Sequence, residues 1–372
     1  MSREPLYRMA LSRVPGIGLI TARRLLEEVE SAEWLFTHRH ELPEFLPDVS
    51  DRLVEALDCP DVLRLCEAEL AFAEKNHITC LTACDEAYPS RLRDCPDAPL
   101  VLFYRGTADL NGLHVINMVG TRQATEYGKA LCETFLRDLK RLVPDVLVVS
   151  GLAYGIDIAA HRAALANGLE TVGVLAHGLD RIYPFVHRST AAQMTRHGGL
   201  LTEFPSGTNP DRQNFVRRNR IVAGMADATI VVESMEKGGA LITADIAQSY
   251  NRDCFAFPGR IGDRCSKGCN ELIRTNRAAL LQDAAELVEA LGWERPSTPA
   301  PAEPVQRQLF PEVSEEEQRV VDQLRQHAEG MQVNALVVAC NVPVQRMTAL
   351  LFSLEMKGVV RVLAGGVYQL LL

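Results

Sequence analysis

The chain is expected to fold as an α/β protein, with a parallel sheet covered by helices on both faces and a smaller module on each side. Three observations lead there. Between about 114 and 281, seven short apolar runs alternate with amphipathic stretches, the pattern of strands joined by crossover helices. Several of the loops after those runs are glycine-rich and lead into a helix. A proline-rich stretch, 293–313, then divides this region from a short C-terminal unit.

At 372 residues the chain exceeds one ordinary core and suits two or three domains. Hydrophobic content of 47% with 23% charged residues reads as globular and soluble. The opening MSREPLYRMALSRV lacks the apolar centre of a secretion signal, and no apolar run approaches the roughly 20 residues that span a bilayer. A cytoplasmic location with no membrane partner is therefore expected. The ten cysteines are scattered, so they read as small buried hydrophobes and not as a disulfide framework. Cys265-Ser-Lys-Gly-Cys269 comes closest to a metal pattern, but no second Cys or His pair follows it. No metal and no cofactor are expected.

The net charge of −9 argues against a protein that coats nucleic acid with its whole surface, but it leaves room for a local basic groove. The densest basic cluster is Arg212, Arg217, Arg218 and Arg220.

The first module, residues 1–100, reads as mostly helical. There, LSRVPGIGLITARRLLEEV sets Pro15-Gly16-Ile17-Gly18 between two helical stretches, with Arg23 and Arg24 on the second. This suits a helix-hairpin-helix unit, whose N–H groups hold a DNA phosphate. A lone Pro-Gly-Ile-Gly is weak evidence for that, and an ordinary tight turn between helices is the commoner meaning of such a stretch.

The second module, 101–292, carries the strands: 114–119, 146–150, 171–176, 199–204, 228–233, 254–257 and 278–281. Their order with the intervening helices makes the domain Rossmann-like, and such sheets bind ligands beyond the carboxyl ends of their strands. The loops there read Val-Gly-Thr-Arg (119–122), Ser-Gly-Leu-Ala-Tyr-Gly-Ile-Asp (150–157), Glu-Ser-Met-Glu-Lys-Gly-Gly-Ala (233–240) and Pro-Gly-Arg (258–260). Three of them are glycine-rich and enter helices, where open N–H groups and the helix dipole favour an anion. Arg122 adds a planar fork suited to phosphate. A dinucleotide fingerprint is missing, because Gly151-Leu-Ala-Tyr-Gly155 has the wrong spacing and Asp157 would repel a pyrophosphate. No P-loop motif occurs either. Asp157 is expected to cap its helix, with His161 packed against it one turn later.

The stretch NFVRRNR, 214–220, follows Glu203-Phe204-Pro205 through the loop SGTNPDRQ and so falls on the ligand-binding edge. In one reading Phe215 stacks on a base, Arg218 and Arg220 hold phosphates, and Asn219 fixes the loop, a combination that single-stranded nucleic acid asks for. In the other, Phe215 fills the core and the arginines pair with Glu203 and Glu233.

Residues 293–313 hold five prolines and read as an extended linker. In the last module, 314–372, SEEEQRVVDQLRQH opens on a serine cap, two more helical stretches follow, and VVRVLAGGVYQLL makes a hairpin about Gly365-Gly366. That is a winged-helix pattern. Its helix after Pro343 carries only Arg346 and Lys357 as cations, and the module has six acidic against five basic side chains. A DNA reader is usually more basic, so a protein contact or a weak auxiliary role is expected.

Six motifs in order, SGLAYGIDIAAH, TVGVLAHGLDRIYP, FVRRNRIVAG, GGALITA, FAFPGR and GCNELI, resemble those of the DNA-processing protein A (DprA/Smf) family. The resemblance spans about 114–281, and the flanking modules fit that family's layout. It implies binding of single-stranded DNA without catalysis, typically as a homodimer, and loading of RecA recombinase in natural transformation and homologous recombination. A single-strand-binding protein is a further candidate partner. Carried onto this chain, DNA binding falls on Gly120, Thr121 and Arg122, on Ser150 and Gly151, on Phe215, Arg218, Asn219 and Arg220, and on Gly239, Ala240 and Thr243. Arg217 and Arg260 join them from the basic cluster and the Pro-Gly-Arg loop. A strand on this edge would meet about four phosphates, giving a log–log salt slope of about −3.

Three departures stand out. Gly238-Gly239-Ala240 replaces the more usual Ser-Gly-Ser, Phe185-Val-His-Arg188 follows Tyr183-Pro184 where an Asn is usual, and RTNRAAL lacks a Gly before its Ala. The rival reading is a nucleotide-processing hydrolase on the same sheet with Asp157, Glu203 or Glu233 as acid or base. The P-G-G-x-G-T-x-x-E motif of related phosphoribohydrolases does not occur.

Overall fold

The alternating apolar runs form seven strands of a nine-stranded sheet in the computed structural model, which describes residues 3–46, 49–293, 313–327, 330–363 and 366–371. Nearly all of the expected linker, and Gly365 of the expected hairpin, lie outside the described residues. The chain divides into two compact units, Met1–Pro296 and Ser297–Leu372.

In the first unit the strands are β1 (Thr79–Thr82), β2 (Val101–Gly106), β3 (Val115–Val119), β4 (Leu147–Ser150), β5 (Thr171–Val174), β6 (Gly198–Thr202), β7 (Ala228–Val231), β8 (Asp253–Ala256) and β9 (Ala279–Leu280). They lie in the order β1-β2-β6-β5-β4-β3-β7-β8-β9. The seven strands from β3 to β9 are parallel, as the alternation predicts. The sheet is nevertheless mixed, because β2 runs antiparallel to β6 and β1 antiparallel to β2. An antiparallel pair needs no crossover helix and so leaves no alternation in the sequence.

Strands β3, β4 and β5 are buried at every position, which is why they read as unbroken apolar runs. Their side chains alternate between two cores. Val115 and Val119 pack with helix residues Ile221, Val222 and Ala244 on one face, and Ile116 and Met118 with Cys132, Phe135 and Ala160 on the other. One polar residue interrupts this pattern. Buried Asn117 donates to Thr229 Oγ1 at 2.8 Å and to Val222 O at 3.1 Å, tying β3 to β7 and to helix Arg212–Gly224.

The strand order reverses at β3. The chain leaves β3 into helix Glu126–Leu142 on one face and leaves β7 into helix Gly239–Ser249 on the other. The two loops therefore diverge and open a crevice at their carboxyl ends.

Helices from Glu4–Leu11 to Pro60–Lys75 build a third core that also takes in Val101 and Phe103 of β2. In the Pro15–Gly18 turn Gly16 adopts φ +86°, a conformation that favours glycine. Arg23 does not face outward for a ligand. It donates to Cys95 O at 2.5 Å and Arg93 O at 3.4 Å, fastening its helix to the rest of the unit.

Among its described residues the second unit has three helices, Glu315–Arg325, Val333–Cys340 and Val344–Met356. Its strands are β10 (Met331–Gln332), β11 (Val360–Leu363) and β12 (Val367–Leu370), ordered β10-β12-β11, a winged-helix arrangement. Ser314 and Glu317 form a reciprocal capping box. Glu317 is buried and also accepts from Ser353 Oγ at 2.6 Å and Lys357 Nζ at 2.7 Å. Burial alone would raise its pKa, but the bonds from Lys357, Ser353 and Ser314 prevail and hold it down to about 2.

An unfolded Glu titrates near 4.3. The stabilisation is therefore complete at neutral pH and is lost as pH falls from about 5 towards 2. Calorimetry of the full chain should show the C-terminal transition weakened by about 2 kcal/mol across that window. Glu317→Gln should remove most of that dependence, and an identical pH profile in the variant would assign the effect to other groups.

Candidate nucleic-acid interface

The crevice at the ends of β3 and β7 is a cleft of about 970 Å³ lined by the 120–123 loop, helix Arg212–Gly224 and residues 234–243. On its wall the Arg122 guanidinium lies 4.9 Å from the centroid of the Phe215 ring. Arg122 is exposed and Phe215 half-buried, so the ring lies at the cleft wall instead of filling the core, with the Arg218 guanidinium also 6.0 Å from its centroid. Tyr183 stands 6.0 Å from Phe215 on another side. Arg212 and Lys237 add two more exposed cations to the cleft. Gly238, which precedes helix Gly239–Ser249, has no side chain to cap that helix's first turn. Its N–H groups and dipole face the cleft where a phosphate would be stabilised.

Beneath this surface lies Arg218, only 4% exposed. Its Nη1 donates to Gly151 O at 2.7 Å and also to Val174 O. Burial chiefly, with the neighbouring charge of Arg122, lowers its pKa to about 10 against the pull of Asp157, so it stays cationic at neutral pH. Buried Asp157 is pushed above the usual carboxylate range by desolvation, which Arg218 only partly offsets. Its Oδ2 accepts from Ala153 N at 3.4 Å.

Two glycines make this closeness possible. At Gly151 a Cβ would collide with the Arg218 guanidinium and the Asp157 carboxylate. At Gly155, with φ +80°, a Cβ would strike Thr121 O and the Arg122 backbone.

Several expected site residues are elsewhere. Arg218 sits in the floor of the cleft and not at its surface. Arg220, 8% exposed, binds Asp97 O and buried Glu203, and it does not line the cleft. Arg217 joins Glu203 at 3.2 Å and lies over Phe204 at 5.5 Å. The reason is helical spacing, which puts Phe215, Arg218 and Asn219 on the face towards the cleft and Arg217 and Arg220 on another. The pairing of arginines with Glu203 thus holds, whereas Glu233 accepts from Thr125 N at 2.9 Å and Thr125 Oγ1 instead, at the start of helix Glu126–Leu142.

The hydroxyls are likewise committed. Ser150 is buried and donates to Met118 O at 2.6 Å. Thr121 Oγ1 accepts from Gln123 N at 3.2 Å, and Thr243 Oγ1 donates to Gly239 O at 3.3 Å. Gly120, Asn219, Gly239 and Ala240 do line the cleft. Arg260 lines a separate hollow of about 880 Å³ with Arg264 and Tyr127. His161 meets Thr171 Oγ1 at 2.7 Å and not Asp157. Burial, with Arg218 and His187 nearby, lowers its pKa to about 3, so it is neutral at physiological pH.

Lys237 was not singled out by the sequence reading, although Lys-Gly-Gly at a helix start is a recognisable signal. Among the described residues no group of three or more His, Cys, Asp or Glu side chains is placed to hold a metal, and no single helix is long and apolar enough to cross a membrane.

The family model for DNA recombination-mediator protein A matches residues 79–292, starting at β1, and that for the DprA winged helix domain matches 294–366. The chain belongs to the DNA recombination-mediator protein A family. Within that family it is 33% identical over 297 residues to Protein Smf of Synechocystis sp., a match covering 78% of this chain and 73% of the relative. It is 39% identical over 190 residues to the DNA processing protein DprA of Streptococcus pneumoniae, covering 51% and 66% respectively.

Solved family members share the architecture. The S. pneumoniae DprA structure superposes with a TM-score of 0.57 at 30% identity, over 73% of this chain and 98% of that one. The Helicobacter pylori DNA processing protein A, whose structure is described as giving insights into a single-stranded DNA binding mode, gives 0.52 at 28% identity, over 57% and 95%.

Proposed function

We propose that this chain binds single-stranded DNA in the cleft without chemical turnover. As a cytoplasmic dimer it would load RecA recombinase onto that strand in natural transformation and homologous recombination. The observation that carries the binding step is the half-exposed Phe215 ring under Arg122, beside the uncapped start of helix Gly239–Ser249.

An unpaired base can stack on Phe215 while its phosphates meet Arg122, Arg212, Lys237 and the helix N–H groups. In a duplex the base faces are covered by neighbouring pairs, so this contact is lost. Arg218 raises the potential of the floor without touching the strand. Support for the family function comes from the H. pylori relative's described single-stranded DNA binding mode. Asp157, Glu203 and Glu233, the carboxylates considered for hydrolysis, are each buried and hydrogen-bonded to protein groups, which favours the reading without turnover.

The test is anisotropy titration of labelled oligo-dT at several salt concentrations, with duplex competitor. Three surface cations predict a log–log salt slope of about −2, shallower than four phosphates would give. Duplex should compete weakly. Equal affinity for duplex, or turnover of nucleoside monophosphates by the pure protein, would overturn the reading.

A further inference from the structure

A second hollow lies beyond Tyr183. It measures about 500 Å³, and its lining includes Arg105, Arg181, Arg188, Asp180, Ile182 and Phe185. Three arginines face one aspartate there. Asp180 is already engaged by Arg181 and by Gly207 N. Arg105 and Arg188 are exposed, and among the described residues neither side chain makes a hydrogen bond or ion pair. Phe185 is 72% exposed and Tyr183 44%, so two aromatic rings stand in solvent close together in the chain.

The backbone that carries these rings is also held in place. Tyr183 N–H donates to His177 Nε2 at 3.2 Å, and buried His187 meets Leu152 O at 2.9 Å through Nδ1. The Arg188 guanidinium lies 5.8 Å from the Phe185 ring, the same pairing of cation and aromatic face as Arg122 with Phe215. The Tyr183 ring centroid lies 6.0 Å from that of Phe215, and Phe185 follows two residues along the chain.

We propose that the hollow is a second subsite for the same single strand. Bases leaving Phe215 stack on Tyr183 and Phe185, and the following phosphates meet Arg188 and Arg105. The unpaired charges of Arg105 and Arg188 beside two exposed rings favour a polyanion with flat faces over a peptide. A fixed backbone beneath the rings lowers the ordering cost of stacking. This inference rests on the single-strand reading of the main cleft.

The test compares oligo-dT of about 5 and about 12 nucleotides, within the range that single-strand sites cover. The full-length protein and its Phe185→Ala/Arg188→Ala variant are titrated with both, and circular dichroism melts check that the fold is kept. The wild type should bind the longer oligomer more tightly. The variant should keep its affinity for the short one and lose about tenfold for the long one, as expected for one lost stack. Its salt slope on the long oligomer should fall by about 0.7. Photo-crosslinking of 5-iodouracil in the long oligomer should label Tyr183 or Phe185.

If short and long oligomers bind alike, or the variant binds both as the wild type does, the second subsite is wrong while the main cleft stands. If neither oligomer binds the wild type, the single-strand reading itself fails and the subsite with it. Poly-glutamate binding that the variant loses, with oligomer binding unchanged, would assign the hollow to an acidic peptide instead.

Discussion

Arg218→Ala is expected to destabilise the first unit by about 3 kcal/mol, because it takes from buried Asp157 the stronger of the two cations that favour its charged form, leaving only Arg122. The same change strips the Gly151 and Val174 carbonyls of a charged donor. Thermal melting followed by circular dichroism should move down on the order of 10 °C. Adding Asp157→Asn to the variant should recover part of that loss, since the residual buried charge is then gone. Beyond the loss of folded protein, DNA affinity should fall only by the modest amount that one charge adds to the potential of the cleft floor. A variant that melts like the wild type yet no longer binds oligo-dT would show instead that Arg218 contacts a phosphate directly.

Phe215→Ala should weaken binding of oligo-dT by about 1–3 kcal/mol, the range for one base–aromatic stack, or roughly 5- to 150-fold. Phe215→Tyr should retain most of the affinity, because it keeps the ring face. Arg122→Ala should act differently, lowering affinity and also flattening the salt slope by about 0.7, since it removes a phosphate contact. It also exposes the Phe215 ring that the guanidinium covers at 4.9 Å. Anisotropy titrations at three salt concentrations separate the two effects. Unchanged affinity in Phe215→Ala would place the strand elsewhere, with the Arg260 hollow the next candidate.

These expectations part from the sequence reading at identifiable residues. Helical spacing alone could have warned that Arg217 and Arg220 leave the face that carries Phe215 and Arg218. It could not have shown that Glu203 is buried where both arginines reach it, because Glu203 belongs to the segment after β6. Burial raises the Glu203 pKa even though Arg220 and Arg217 pull it down, a balance set by packing around the pair. Ser150 looked like a donor because it ends a strand at the ligand edge. Its hydroxyl turns inward to Met118 O, a partner on the neighbouring strand. Nothing local to Ser150 specifies that direction.

The two early strands were missed for a related reason. Cys80-Leu81 and Val101-Leu-Phe-Tyr104 are apolar enough for strands, but a helical segment precedes the first and no alternation links them. Only the pairing of β2 with β6, and of β1 with β2, reveals an antiparallel extension of the sheet.

The amino-acid order by itself determined the parallel strands, the glycine loops at their carboxyl ends, the winged-helix unit and the family, because each depends on local periodicity or on short ordered motifs. Three-dimensional packing alone decided which arginines face solvent, which carboxylates they neutralise and which rings stay exposed. Those outcomes depend on groups far apart in the chain meeting in a medium from which water is excluded. There, an unpaired charge is costly enough to dictate where each guanidinium must go.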